Sequence, residues 1–135
     1  MDKLKLVLDS NEYIFYFGNK SNEILKLLDF QELKIFLNDL IIQEVIRNIN
    51  KENAAKFFNI LKNPRFNVIM EQMTQNFIEK YRKMSLRKGD VLIAALCETI
   101  GADYLISENR HFLKKKIFDE FEVLSLKEFL RKIEF

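Results

Sequence analysis

Two apolar runs in this chain end in polar corners, and a third opens on a lone acid. The first corner is Leu4-Lys5-Leu6-Val7-Leu8-Asp9-Ser10-Asn11, and the second is Tyr104-Leu105-Ile106-Ser107-Glu108-Asn109. Between them, Lys88-Gly89-Asp90 opens the run Val91-Leu92-Ile93-Ala94-Ala95-Leu96. A further acid, Glu44, stands in Asp39-Leu40-Ile41-Ile42-Gln43-Glu44-Val45-Ile46. If the fold draws Asp9, Glu44 and Asp90 around one point, each pair repels by about 3 kcal/mol at roughly 5 Å and an effective dielectric near 20. A divalent cation removes that cost. Oxygen ligands and the absence of a Cys/His cluster favour Mg²⁺ or Mn²⁺ over zinc. His111 is the only histidine, so a zinc site or a Ser-His-Asp triad has little to work with. We read His111 as structural or as support behind the ligands.

Strands and helices must position these groups. Residues 4–8 predict a strand, 11–17 and 21–28 short helices split by Gly18-Asn19, and 33–37 a second strand. Asn38 or Asp39 can cap a helix running to about residue 50, and 52–61 continues helically until Asn63-Pro64 breaks it. Residues 66–70 read as a weaker third strand and 71–84 as a helix with Met73, Phe77, Ile78 and Tyr81 on one face. Asp90 starts the most apolar helix, which Gly101 ends. Residues 104–107 and 121–124 give the last two strands, and Ser125 caps a final helix. Strands alternating with helices imply an α/β three-layer sandwich with a five-stranded, mostly parallel sheet. The strands are apolar without polar alternation, as expected when both faces are covered.

In such sheets ligands bind beyond the carboxyl ends of the strands, near the switch in strand order. Asp9 and Ser107-Glu108-Asn109 sit at that end. Asp103 sits at the other end of its strand and is assigned to turn chemistry. Asp90 has a plain alternative as an N-cap. The helix it opens is apolar nearly all round, which places its N-terminus against the sheet, and one carboxylate can serve as cap and ligand. At about 100° per residue, Glu44 falls between Leu40 and Ile41 on the helical wheel. That is an acid inside an apolar arc, or else a boundary residue reaching solvent.

Composition bounds the rest. At 135 residues the expectation is one domain, 1–135. Cys97 stands alone, so no disulfide framework forms and a reducing cytoplasm is the simple expectation. Cys97 itself reads as core packing. The apolar start is too short and carries Lys3, Lys5 and Asp9, which argues against a signal peptide. No apolar stretch approaches the roughly 20 residues of a transmembrane helix. Net charge is +2, but Lys80, Arg82, Lys83, Arg87 and Lys88 crowd one segment and Lys114, Lys115 and Lys116 another. These could hold a polyanion or form a solvated helix face.

Taken in order, the motifs resemble the PIN-domain family, the metal-dependent ribonuclease fold of many toxin-antitoxin toxins. Asp9-Ser10-Asn11 stands at the opening Asp-(Thr/Ser)-Asn signature, Glu44-Val45-Ile46 at the helical glutamate, and Asp90-Val91-Leu92-Ile93-Ala94-Ala95 at the third acid. Gly101-Ala102-Asp103-Tyr104-Leu105-Ile106-Ser107 matches the stretch that follows. The resemblance runs over about 130 residues in the family's order. It implies catalytic Asp9, Glu44 and Asp90, with Asp9 and Asp90 on Mg²⁺ or Mn²⁺. Ser10, Asn11, Ser107 and Asn109 would orient the ligands, and Lys88 and Arg110 would hold RNA at the rim. It also implies a homodimer and an antitoxin partner. One departure matters: where many members carry a fourth acid this chain has Asn109, so a three-acid site is implied. That departure supports a competing reading, a catalytically weak RNA- or protein-binding module. A phosphatase or phospho-acceptor would need a second acid beside Asp9, and position 11 is Asn.

Overall fold

The computed structural model describes residues 3–19, 22–70, 75–84, 86, 88–109, 112–113, 118 and 120–133. Five of its strands form one all-parallel sheet: β1 (Leu4–Leu8), β2 (Leu33–Asn38), β3 (Phe66–Ile69), β4 (Tyr104–Ile106) and β5 (Glu122–Leu124). The order is β3-β2-β1-β4-β5. The helices between them are α1 (Ser10–Phe17), α2 (Ile24–Leu27), α3 (Asp39–Arg47), α4 (Lys51–Ile60), α5 (Gln75–Arg82), α6 (Lys88–Ile100) and α7 (Leu126–Ile133). No helix among the described residues is long and apolar enough to cross a membrane.

The sheet is central because its strands are apolar on both faces. Leu6, Val7, Leu8, Ile35, Leu37, Leu105 and Ile106 are all fully buried, as a parallel sheet covered on both sides requires. The chain winds outward from β1 through β2 to β3, then crosses back to add β4 and β5 on the other side. The switch in order therefore falls between β1 and β4, where ligand sites form in folds of this kind.

Local chemistry fixes the element ends. Asn38 caps α3, its Oδ1 accepting the Ile41 N–H at 3.1 Å. Ser125 and Glu128 form a reciprocal capping box at α7: the Ser125 Oγ accepts from Glu128 N at 3.2 Å, and the Glu128 Oε1 accepts from Ser125 N at 3.1 Å. Gly101 stops α6 with a φ of 68°. Ala102 N reaches Cys97 O at 2.8 Å and Gly101 N reaches Glu98 O at 3.2 Å, the paired bonds of a Schellman stop. At the amino end of the sheet, Asp103 accepts the Lys5 N–H at 2.8 Å, so it locks β1 to β4 away from the carboxyl ends.

α6 is sheathed as its composition requires: Val91, Ile93, Ala94, Ala95, Leu96 and Cys97 are all buried. Burial drives the Cys97 thiol well above its usual range, so it stays a protonated packing group. The helix begins at Lys88, two residues earlier than expected, because Lys88 and Gly89 join its first turn. Asp90 is thus inside that turn and not at the cap, where a carboxylate still meets the positive end of the helix dipole. The helix expected from residue 21 begins at Ile24, and of the helix expected over 71–84 residues 71–74 lie outside the described residues. Ser21, Met73, Arg87, Arg110, His111 and the lysines at 114–116 lie outside the described residues, as does the side chain of Lys88.

Candidate active site

Asp9 leaves β1 directly at the switch point, and its side chain is buried at 5% exposure. Its backbone N–H bonds to Ile106 O at 2.9 Å, which ties the corner to the end of β4. The carboxylate accepts two hydroxyl bonds: Ser107 Oγ donates to Oδ2 at 2.8 Å, and Ser10 Oγ donates to Oδ1 at 3.4 Å. Ser107 is itself fully buried, and its Oγ accepts the Asn109 N–H at 3.0 Å. The Asn109 side-chain amide then donates to Asp90 Oδ1 at 3.2 Å. One continuous hydrogen-bonded path thus runs Asp9–Ser107–Asn109–Asp90. It joins the end of β1, the loop after β4 and the first turn of α6.

Electrostatics mark the same place. Burial raises the Asp9 carboxyl above its ordinary pKa. The Ser107 hydroxyl and the Ser10 backbone pull it down, while the charges of Asp90 and Glu44 push it up. Asp9 is thus a buried carboxyl held by two hydroxyls, with the charges of Asp90 and Glu44 acting on it as smaller contributions.

Glu44 is placed differently from Asp9 and Asp90. It is exposed on α3, on one wall of a groove of about 360 Å³ lined also by Asn38, Ile41, Arg47, Gly89 and Ile93. The apolar arc of α3 is narrower than the wheel implies: Ile41 and Val45 are buried against the core, but Leu40 is 43% exposed. Glu44 lies on the exposed side of that boundary and still acts on Asp9 through space. Among the described residues, no three of His, Cys, Asp and Glu stand close enough together to hold a metal ion by themselves. The hydrogen-bonded path links Asp9 to Asp90, and Glu44 stands outside it on the wall of the groove. Asn11 is exposed on the first turn of α1.

A second acid lies on the other side of Asp9 and was not expected from the sequence. Glu12 is buried at 4% exposure, and its Oε1 makes no hydrogen bond. Burial, then contact with Glu108, pushes its carboxyl up to about 9. Glu108 turns away from Asp90 toward α7, where its Oε2 accepts the Leu126 N–H at 3.3 Å. The helical wheel sets Glu12 about 100° from Tyr13, and no periodic pattern marks it. Glu108 of the loop after β4 contacts it, and Leu126 and Lys127 of α7 line the same cavity.

Comparison with known proteins follows this geometry. The family model described as PIN domain matches residues 6–117. No curated protein matches. Among solved structures, VapBC2 from Rickettsia felis, bound to a DNA fragment from its promoter, is similar with a TM-score of 0.72 at 15% identity, over 90% of this chain and 98% of that one. DNA-bound VapBC from Salmonella typhimurium gives 0.65 at 19% identity, over 91% and 98%. The T. brucei RRP44 PIN domain gives 0.60 at 13% identity, over 96% and 78%. At such identities the likeness is one of fold.

Proposed function

This chain belongs to the PIN-domain family, and on that premise we propose that it is a metal-dependent endoribonuclease, the toxin of a toxin-antitoxin pair. The observation that carries the reading is the path Asp9–Ser107–Asn109–Asp90 at the switch point of the sheet. It holds two carboxylates in fixed orientation where α/β folds of this kind bind ligands.

The donor set fits a hard cation. Mg²⁺ is held by one or two carboxylates and otherwise keeps water or substrate phosphate as ligands. Asp9 and Asp90 supply those two, and a cation there would offset both the burial of the Asp9 charge and its repulsion by Asp90 and Glu44. Bound Mg²⁺ or Mn²⁺ would lower the pKa of a water and neutralise charge on the scissile phosphate. Ser107 and Ser10 would hold the Asp9 carboxylate, and Asn109 that of Asp90, as supporting groups do for metal ligands. Glu44, on the wall of the adjoining groove, would orient the attacking water and accept its proton at the carboxylate. The water's oxygen would form the new bond to phosphorus as the bond from phosphorus to the ribose oxygen breaks, and that oxygen would take up a proton from solvent. Arg47 on the same wall would bind a flanking phosphate. The VapBC complexes among the similar structures support an antitoxin as partner, and a homodimer is part of the same reading.

The competing reading, an RNA- or protein-binding module with little catalysis, is favoured by Asn109 in place of an acid and by the exposure of Glu44 outside the Asp9–Asp90 hydrogen-bonded path. Calorimetric titration with Mn²⁺ distinguishes the two. The nuclease reading predicts binding that Asp9→Asn removes while the variant stays folded. No binding to the wild type at millimolar Mn²⁺ would leave the module.

A further inference from the structure

Two cavities are each lined by an acid whose charge interacts with Asp9, Glu44 in one and Glu12 in the other. The one toward β2 is the groove that holds Glu44. The other, of about 380 Å³, lies toward β4 and β5, between the first turns of α1, the turn that follows α1, and the start of α7. Nothing in the proposed chemistry uses it. Its lining includes Glu12, Phe15, Asn19, Asn22, Glu108 and Lys127. Glu12 is the telling member, because a carboxyl oxygen buried without a hydrogen bond is costly. A ligand that brought donors to this cavity would supply what the protein omits.

We propose that this cavity is a base-recognition subsite that takes a guanine from the nucleotide flanking the cleaved bond. The inference rests on the nuclease reading of Asp9 and Asp90. A single strand crossing the carboxyl ends of the strands has a nucleotide on each side of that pair. Acids in the lining repel phosphate, so the group that enters is the uncharged base. Sequence-specific RNA recognition works this way, with unstacked bases packed on aromatic rings and read along their Watson–Crick edges. Phe15 is half-buried in the lining and offers the ring. Glu12 and Glu108 both line the cavity and their side chains are in contact, so they would offer neighbouring carboxyl oxygens to the base edge. Guanine presents two adjacent donors there, N1–H and the N2 amino group. Cytosine and adenine set a donor beside an acceptor, and uracil places its single N–H between two acceptors. Lys127 would meet the phosphate on the outer side of that nucleotide.

The test has a cleavage arm and a binding arm. Short single-stranded RNAs randomised at each position around the cut are digested with Mn²⁺, and the product ends are sequenced. A guanine preference of about tenfold or more at one flanking position is expected, within the range of a good bidentate base contact. Glu108→Gln, and separately Glu12→Leu, which removes the acceptor oxygen, should reduce that preference to near unity. Cleavage without a base preference, or with one that both variants retain, overturns the subsite and leaves the nuclease reading standing. If no RNA is cut, binding of guanosine monophosphate against uridine monophosphate, followed by NMR, decides. Guanosine-selective shifts near Phe15 that Glu108→Gln removes keep the subsite while the nuclease reading fails. Equal or absent binding of the two nucleotides rejects the subsite.

Discussion

Asp90→Asn is expected to lower metal-dependent RNA cleavage by about a thousandfold or more, while the melting temperature stays within a few degrees of wild type. The magnitude follows from the several kcal/mol that a bound cation contributes to phosphoryl transfer, at about 1.4 kcal/mol per factor of ten. The fold should tolerate the change. Asn is nearly isosteric with Asp, Asp90 is within the first turn of α6 and not its cap, and its Oδ1 contact to Asn109 can be kept by an amide oxygen. What the substitution removes is the charge. Single-turnover cleavage and thermal melting on the same preparation check both halves. A variant with a tenth or more of wild-type activity would remove Asp90 from the site, and an unfolded variant would make it structural.

Glu12→Gln should stabilise the metal-free protein at pH 8, by on the order of 1–3 kcal/mol or several degrees in Tm. The sign follows from proton linkage. The Glu12 carboxyl is pushed from its ordinary 4.5 up to about 9 in the folded chain, by burial first and by Glu108 second. Between those values the unfolded chain has released a proton that the folded chain still holds. Wild-type stability therefore falls as pH rises from about 4.5 to about 9, and then levels off. Gln has no proton to exchange, and it can donate its amide to Glu108. The two proteins should differ little near pH 4.5 and diverge steadily above it. Calorimetry across that range in metal-free buffer reads the effect. A parallel pair of curves, or a variant less stable at pH 8, would show that Glu12 is not held protonated by burial.

Most of the scaffold is written in short-range patterns, and much of the site is not. Residues 4–8 announce a buried parallel strand because nearly every position is apolar, and β1 spans Leu4–Leu8. Asn38, Gly101 and Ser125 announce element ends because the groups that cap a helix belong to the helix itself. Asp9, Asp90, Ser107 and Asn109 were each legible as candidates from their place at element ends. Their order in one hydrogen-bonded path was not, because it depends on how the loop after β4 settles between β1 and α6. Glu44 shows where a helical wheel stops being informative. The wheel gives its angle relative to Leu40 and Ile41, but the edge of the buried arc is set by how α3 packs on α1. Glu12 carries no local signal at all. Glu108 and Leu126, which line the same cavity, stand about 96 and 114 positions later in the chain.

Fold likeness at 13–19% identity leaves the chemistry to these particular side chains. The most direct test is incubation of structured and single-stranded RNA with the purified protein in Mn²⁺, Mg²⁺ or EDTA, beside Asp9→Asn. The account predicts cuts in either metal, none in EDTA, and none by Asp9→Asn. Cleavage that persists in EDTA, or that Asp9→Asn retains, would contradict a metal-dependent site built on Asp9 and Asp90.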